Sequence, residues 1–279
     1  MECVKPITVI KDGVSIRLPC NRCIACRLNY ANYWSTRIVC ESHFWKYSSF
    51  VTLTYNDDNL IIGEKGFATL SKEHCQNFFK ELRGKGVKVR YFLGGEYGDI
   101  HNTHRPHYHI CMFSDNEAIT DNTFLQGIWR KGFLSVGSLT RDSANYVAKY
   151  CVKKLGGKEA YRYEQMGIIP EFALMSRRPG IGLQYIEKFK ETVKRNGFVV
   201  VNGKKQPIPR YFGTRIFTEE EKNQRFIDNQ VRQFDKLYKV IKDKNAKDIY
   251  QADDFIILQS NPQREKNIKA RMDLKRRKL

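Results

Sequence analysis

Between Phe50 and Leu155 the chain carries strand and helix signals in the order strand, helix, strand, strand, helix, strand, helix. That order narrows the fold more than any other feature. Phe50–Tyr55 (FVTLTY) alternates as a half-buried strand does. Ser71 stands as N-cap to a helix through Cys75, Phe78, Phe79 and Leu82 that stops at Gly84 and Gly86. Val87–Tyr97 and Pro106–Phe113 read as strands flanking the turn-forming NTHRP, so an antiparallel hairpin is their simplest pairing. Asp121–Lys131 reads as a helix, Phe133–Leu139 as a strand and Asp142–Leu155 as a further helix. The expectation is an α+β fold of ferredoxin-like type, a central antiparallel sheet with helices on one face.

The flanks differ in character. Residues 1–49 form a Cys-rich N-terminal segment and a helix from about Arg27 to Ser49, with Tyr30, Trp34, Ile38 and Phe44 at helical spacing. Residues 50–155 are the core. Residues 156–217, with MSRRPGIG, the Asn202-Gly203 turn and PRYFG, read as a smaller appended module. Residues 218–279 start with a Thr218/Glu221 capping box. Ile227, Val231, Phe234, Tyr238 and Ile241 then line one helix face, which is expected to pack on the body of the protein rather than in a coiled coil. The last nineteen residues carry eight Lys or Arg and two acids. They read as a solvated or partly disordered basic arm.

Hydrophobic residues make up 41% of the 279, enough for a core, while 49 Lys and Arg against 30 acids give a net charge of +19. Such a surplus favours a polyanionic partner. The longest apolar runs, Phe198–Val201 and Phe255–Leu258, fall far short of the roughly 20 residues that span a bilayer. MECVKPITVIKDG has no apolar leader core. A cytosolic protein with reduced thiols is the expectation. Cys20-x2-Cys23-x2-Cys26 with Cys3 supplies the four thiolates of a structural Zn2+ site. Reduced thiols lining a core, or an iron–sulfur ligand run, remain the alternatives. Cys40, Cys75, Cys111 and Cys151 read as buried thiols, with Cys111 a weak ligand candidate.

Chemistry concentrates in HNTHRPHYHI. Alternation puts His107 and His109 on one strand face, where both imidazoles can hold one metal ion; for the pair alone, an ordinary surface feature is the plainer reading. Glu96 precedes His107 by eleven residues, so a hairpin turning near Ile100–His104 brings its carboxylate alongside. Two imidazoles and a carboxylate suit Mg2+ or Mn2+. His101 and His104 are weaker candidates, and Asp57 and Asp58 read as a plain turn. On the Asp142–Leu155 helix, Tyr146 and Tyr150 share a face beside Lys149, Lys153 and Lys154. By itself such a pair reads as a packing stripe.

FVTLTY, RPHYH and YVAKYCVKK, in that order, resemble the three motifs of HUH endonucleases of the rolling-circle initiator type. The resemblance is closest to the replication proteins of the Microviridae, especially the gokushoviruses, and PCNRCIACR and MSRRPGIG look like that group's own segments. It covers most of residues 18–185. The resemblance implies a replication initiator that nicks and rejoins single-stranded origin DNA. His107 and His109 would hold the metal, with Glu96 as third ligand. Tyr146 or Tyr150 would be the nucleophile that forms a 5′-phosphotyrosyl link, aided by Lys149. Lys153, Lys154, Arg177 and Arg178 are candidate DNA contacts, as are Lys204-Lys205, Arg210-Tyr211-Phe212 and Lys275–Lys278. Gly156-Gly157-Lys158-Glu159 does not have the spacing of a nucleotide-binding loop. Host helicase and polymerase are therefore the implied partners, in the cytoplasm of the bacterial host. A relaxase or transposase with the same metal site, and a noncatalytic zinc-containing nucleic-acid-binding protein, are the rival readings.

Overall fold

The computed structural model describes residues 3–11, 14–98, 104–153, 161–244 and 263–271. It divides into two compact units, Ala31–Ile216 and a second made of Met1–Tyr30 with Phe217–Leu279.

The larger unit is built on five strands, β3 (Tyr47–Thr54), β4 (Arg90–Tyr97), β5 (Pro106–Ser114), β6 (Leu134–Ser138) and β7 (Phe172–Met175). They lie in the order β6-β3-β5-β4-β7, and every neighbouring pair is antiparallel. The first four strands have the ferredoxin-like arrangement: β5 sits between β3 and β4, and the helix α2 (Lys72–Gly84) crosses over between those two. Ser71 caps α2 as its sequence implies, its Oγ accepting from His74 N at 3.1 Å. Asp121 does the same for α3 (Asn122–Ile128), accepting from Thr123 N and Phe124 N. Both helices bury their apolar stripes on one sheet face: Phe78, Phe79, Leu82, Leu125 and Ile128 pack with Val51, Leu53, Leu93, Ile110 and Met112.

The opposite face is not left open, and here the one-sided arrangement needs correction. Trp34 of α1 (Ile24–Ser42) lies 4.8 Å from Phe92, ring centroid to centroid, and Tyr146 of α4 (Arg141–Lys153) meets Phe50 at 6.4 Å. Phe92 and Phe50 both flank Cys111 in register, so α1 and α4 cover the face that carries His107 and His109.

Tyr108, between the two histidines, points the other way and fixes the strand. Its hydroxyl accepts from Ser71 N at 2.7 Å, donates to Ser71 O at 3.1 Å and lies 2.9 Å from Tyr55 Oη, all of it fully buried. Tyr108→Phe would strand the buried Ser71 amide. An unsatisfied donor costs about 1–3 kcal/mol. The expected result is a lower denaturant midpoint with an unchanged slope in a urea titration.

Beyond β7, the segment with the cis Arg178–Pro179 bond is fastened by Glu41 of α1. Glu41 accepts from Arg90 Nε at 2.5 Å, Trp45 Nε1 at 3.1 Å and the Gly182 amide at 2.6 Å. Arg90 Nη2 donates to Pro179 O at 2.9 Å and Arg37 Nε to Ile181 O at 3.0 Å. Gly182 has φ +80, and a Cβ there would meet Phe212 at 2.8 Å, so the position requires glycine. Asn202 and Gly203, both at positive φ, turn the hairpin of β8 (Phe198–Val201) and β9 (Lys204–Pro207).

The smaller unit contains the hairpin β1 (Ile7–Lys11) and β2 (Val14–Leu18), the first turns of α1, the long helix α9 (Glu219–Lys244) and a helical stretch at 263–271. The capping box at the start of α9 is made: Glu221 N donates to Thr218 Oγ1 and Thr218 N to Glu221 Oε2. Two expectations fail in this unit. Ile227, Val231, Phe234 and Tyr238 are each more than half exposed, so their face of α9 is not packed; the Ile241 side chain lies outside the described residues. Residues 263–271 are helical rather than a loose arm, and Ile268 is buried against Val4 and Ala25. Amphipathic spacing encodes the α9 helix but not what covers it, and the tail's charge masks one buried isoleucine.

Candidate functional site

The β4–β5 register sets Glu96 directly opposite His107 and Gly94 opposite His109. Directly opposed residues in an antiparallel pair share a sheet face, so the eleven-residue spacing yields the convergence it implies. One carboxylate oxygen, Glu96 Oε1, lies 2.5 Å from His107 Nε2 and 3.1 Å from His109 Nε2. Glu96 and His109 are buried, and His107 is partly exposed. Burial would raise the Glu96 carboxyl, but hydrogen bonds and charge from His107 and His109 outweigh it and hold it below the usual carboxylate range.

The outer nitrogens decide what the inner ones can do. His107 Nδ1 faces the Arg105 carbonyl at 3.0 Å, so it carries the hydrogen. His109 Nδ1 lies 3.0 Å from Thr52 Oγ1. With Nδ1 protonated, neutral His107 offers a bare Nε2 to a carboxylate oxygen, an acceptor facing an acceptor. Only a cation between them, a proton or a metal, makes that arrangement favourable. The three donor atoms fit a divalent ion with sites left open for phosphate oxygens.

Tyr146 of α4 lies beside this group. Its ring meets His109 edge to face at 4.9 Å, and Phe50 stacks on the other side of His109 at 5.6 Å. The imidazole is thus held between two aromatics, with Tyr146 partly exposed. Lys149 follows one turn later and is also partly exposed. The side chains of Tyr150, Cys151 and Lys153, together with all of Lys154 and His101, lie outside the described residues. His104 is exposed at φ 46 and takes no part in the group. Asp57 pairs with Arg105 Nη1 at 2.6 Å within the single 3-10 turn Asp57–Asn59, the plain turn its sequence implies. Cys40, Cys75 and Cys111 are buried thiols, and Cys111 is not among the grouped ligands.

A family model described as replication-associated protein ORF2 matches residues 48–155, the stretch that holds the sheet and α4. Over 238 residues the chain is 34% identical to the replication-associated protein ORF2 of Spiroplasma virus 4, covering 76% of this chain and 70% of that relative. The chain belongs to the phage replication-associated proteins. It is also 32% identical over 250 residues to the replication-associated protein VP4 of Bdellovibrio phage phiMH2K, covering 76% of each. With the replication-associated protein ORF4 of Chlamydia phage 1 it shares 26% over 227 residues, 71% of this chain and 53% of the relative. No solved structure matches the chain. The resemblance to the Microviridae replication proteins is borne out.

This family member has a second cluster of ligand type. The Sγ atoms of Cys3, Cys20, Cys23 and Cys26 lie within 4.8 Å of one another, and none of the four is in a disulfide. Burial pushes the Cys23 thiol up, but hydrogen bonds from the Cys26 and Val4 backbone and the neighbouring thiols bring it down to about 6. Among the described residues no helix is long and apolar enough to cross a membrane.

The candidate DNA contacts are dispersed. Arg177 and Arg178 are exposed, but they follow Ser176, which is bonded to Tyr91 five residues along β4 from Glu96. At about 3.4 Å per residue that is about 17 Å from the histidines. Lys204, Lys205 and Arg210 are exposed as expected. Phe212 is fully buried and cannot stack a base, while Tyr211 lies under the Arg37 guanidinium at 4.1 Å. Thr52 and Phe50 brace His109, a part that their strand pattern alone does not reveal. Alternation along FVTLTY puts both on one face, and the β3–β5 pairing is the added information that aims them at His109.

Proposed function

We propose that this protein initiates rolling-circle replication of a phage genome as a metal-dependent endonuclease that nicks and rejoins single-stranded origin DNA. The observation that carries this reading is Tyr146, a phenol 4.9 Å from the imidazole of His109 in the Glu96, His107, His109 group. The relatives' printed description as replication-associated proteins supports it.

Glu96, His107 and His109 would hold Mg2+ or Mn2+, which supplies Lewis-acid polarisation of a phosphate oxygen when bound. Tyr146 Oη attacks the phosphorus. The new O–P bond forms as the bond from phosphorus to the 3′ oxygen breaks, leaving a 5′-phosphotyrosyl link. The freed 3′ oxygen takes a proton and becomes a primer terminus; reversal rejoins the strand. A free phenol loses its proton only near pH 10, about three units above neutrality. Lys149, one helical turn from Tyr146, lowers that barrier by favouring the phenolate or by offsetting phosphate charge. Tyr150 is the second nucleophile for the regenerated origin. Lys153, Lys154, Arg177 and Arg178 bind phosphates along the strand, and affinity falls steeply with salt. Strand opening and synthesis come from a host helicase and polymerase in the host cytoplasm.

The test incubates wild type, Tyr146→Phe, Tyr150→Phe and the double variant with single-stranded origin DNA and Mn2+, then separates products on a denaturing gel. Wild type is expected to give a slow-migrating covalent adduct, Tyr146→Phe at least a hundredfold less, and the double variant none. Binding without cleavage would overturn the enzymatic reading. Cleavage that survives chelation would overturn the metal's part in it.

A further inference from the structure

The four N-terminal cysteines form a cage of the size one ion needs. Cys3 Sγ lies 3.5 Å from Cys20 Sγ and 3.7 Å from Cys23 Sγ, and the whole set spans at most 4.8 Å. Four sulfurs at about 2.3 Å from a tetrahedral Zn2+ are about 3.8 Å apart. A disulfide would bring one pair to about 2.0 Å and exclude the others. Here Cys3 is shared almost equally between two neighbours. A multi-iron cluster, with several metal ions inside the sulfur cage, holds its cysteines farther apart than a single ion does.

The backbone around the cage is arranged for thiolates. Cys20 N donates to Cys3 Sγ and Cys23 N to Cys20 Sγ, both at 3.3 Å. Asn21, at φ 58, makes the left-handed step between Cys20 and Cys23. Cys23 caps the nineteen-residue helix α1, its carbonyl accepting from Arg27 N at 3.0 Å, and Cys26 lies in the first turn. Peptide dipoles at that end favour negative sulfur. Four thiolates around a divalent ion leave a net charge of −2, and Lys5, Arg22 and Arg27 stand in the same segment to offset it.

What the cage supports is equally telling. Its neighbours form a cluster with only three buried apolar side chains, Val4, Ala25 and Ile268, flanked by Cys23, Ile24 and Leu28. Ile268 belongs to the helical stretch 263–271, more than 230 positions away in the chain. A core of that size does not hold distant segments together without a crosslink.

We propose that Cys3, Cys20, Cys23 and Cys26 hold a structural Zn2+ ion, and that this ion is the clamp that keeps residues 263–271 docked on the N-terminal segment. Lys275–Lys278 follow a few residues later, so the clamp also anchors the most basic stretch of the chain. This inference does not depend on the nicking reading.

The experiment uses the full chain. Metal analysis of protein purified without added metal is expected to give one zinc per molecule in wild type and in Glu96→Gln, and none in Cys23→Ser. Replacement by Co2+ should give the visible bands of a tetrahedral tetrathiolate. Amide hydrogen exchange in Cys23→Ser should accelerate at least tenfold across 263–271 and 24–28, with β3 and β5 unchanged. Should that variant fail to fold, stripping zinc from wild type with a strong chelator and restoring it must produce and reverse the same change. Protein isolated without zinc, or with iron in its place, would overturn the site. Zinc present but exchange at 263–271 indifferent to its removal would overturn the clamp. Strand cleavage with Mn2+ is a separate readout, so failure of either reading leaves the other standing.

Discussion

Replacing Glu96 with glutamine is expected to lower metal-dependent cleavage of single-stranded DNA about a thousandfold, a loss of about 4 kcal/mol at about 1.36 kcal/mol per tenfold. Glu96 Oε1 is the atom on which both imidazoles converge, and its carboxyl is buried. The amide keeps the volume and removes the charge, so the sheet should persist while the ion loses its one anionic ligand. Calorimetry should register the change without reference to activity. Mn2+ at a hundred times its dissociation constant stabilises a protein that binds it by about 2.7 kcal/mol, so wild type should melt higher with Mn2+ and Glu96→Gln should not. Acid titration of the metal-free proteins gives a further check. The histidines hold the Glu96 carboxyl below its ordinary value, so it contributes stability above the unfolded-state value that is lost as pH falls through the folded one. The glutamine variant has no such loss. Equal cleavage by the two proteins would remove Glu96 from the metal centre.

The parts of this site written in local spacing were legible. His107 and His109 share a face because a strand repeats every two residues, and Glu96 joins them because eleven residues suffice for two short strand ends and a turn. The βαββαβ order was legible for the same reason, since each element carries its own cap or alternation. The second layer of helices left a weaker trace. In β5, Ile110 and Met112 are apolar at one parity and Cys111 and Phe113 at the other, the pattern of a strand covered on both faces. Long-range partners left none. Nothing around Glu41 in α1 reveals that its acceptors serve Arg90, 49 residues away, and Gly182, 141 residues away.

That carboxylate carries the largest expected stability effect. Glu41 has 2% of its side chain exposed and Arg90 14%, with Nε and Oε1 at 2.5 Å. Removing one partner of a buried pair costs about 3–5 kcal/mol, because the other charge remains without compensation. Glu41→Ala strands the Arg90 guanidinium, the Gly182 amide and the Trp45 indole N–H together. For a unit of this size each kcal/mol shifts the melting temperature by about 2–4 °C, so a drop of about 10 °C in differential scanning calorimetry is the expected result. Glu41→Met combined with Arg90→Met should recover most of the loss, since an apolar pair of similar volume has no charge to desolvate. The same carboxylate fastens the segment that presents Arg177 and Arg178, so Glu41→Ala should also weaken single-stranded DNA binding at temperatures where the protein is still folded. A loss below about 1 kcal/mol is what a solvent-screened surface pair would give, and it would mean that water reaches Glu41 in solution.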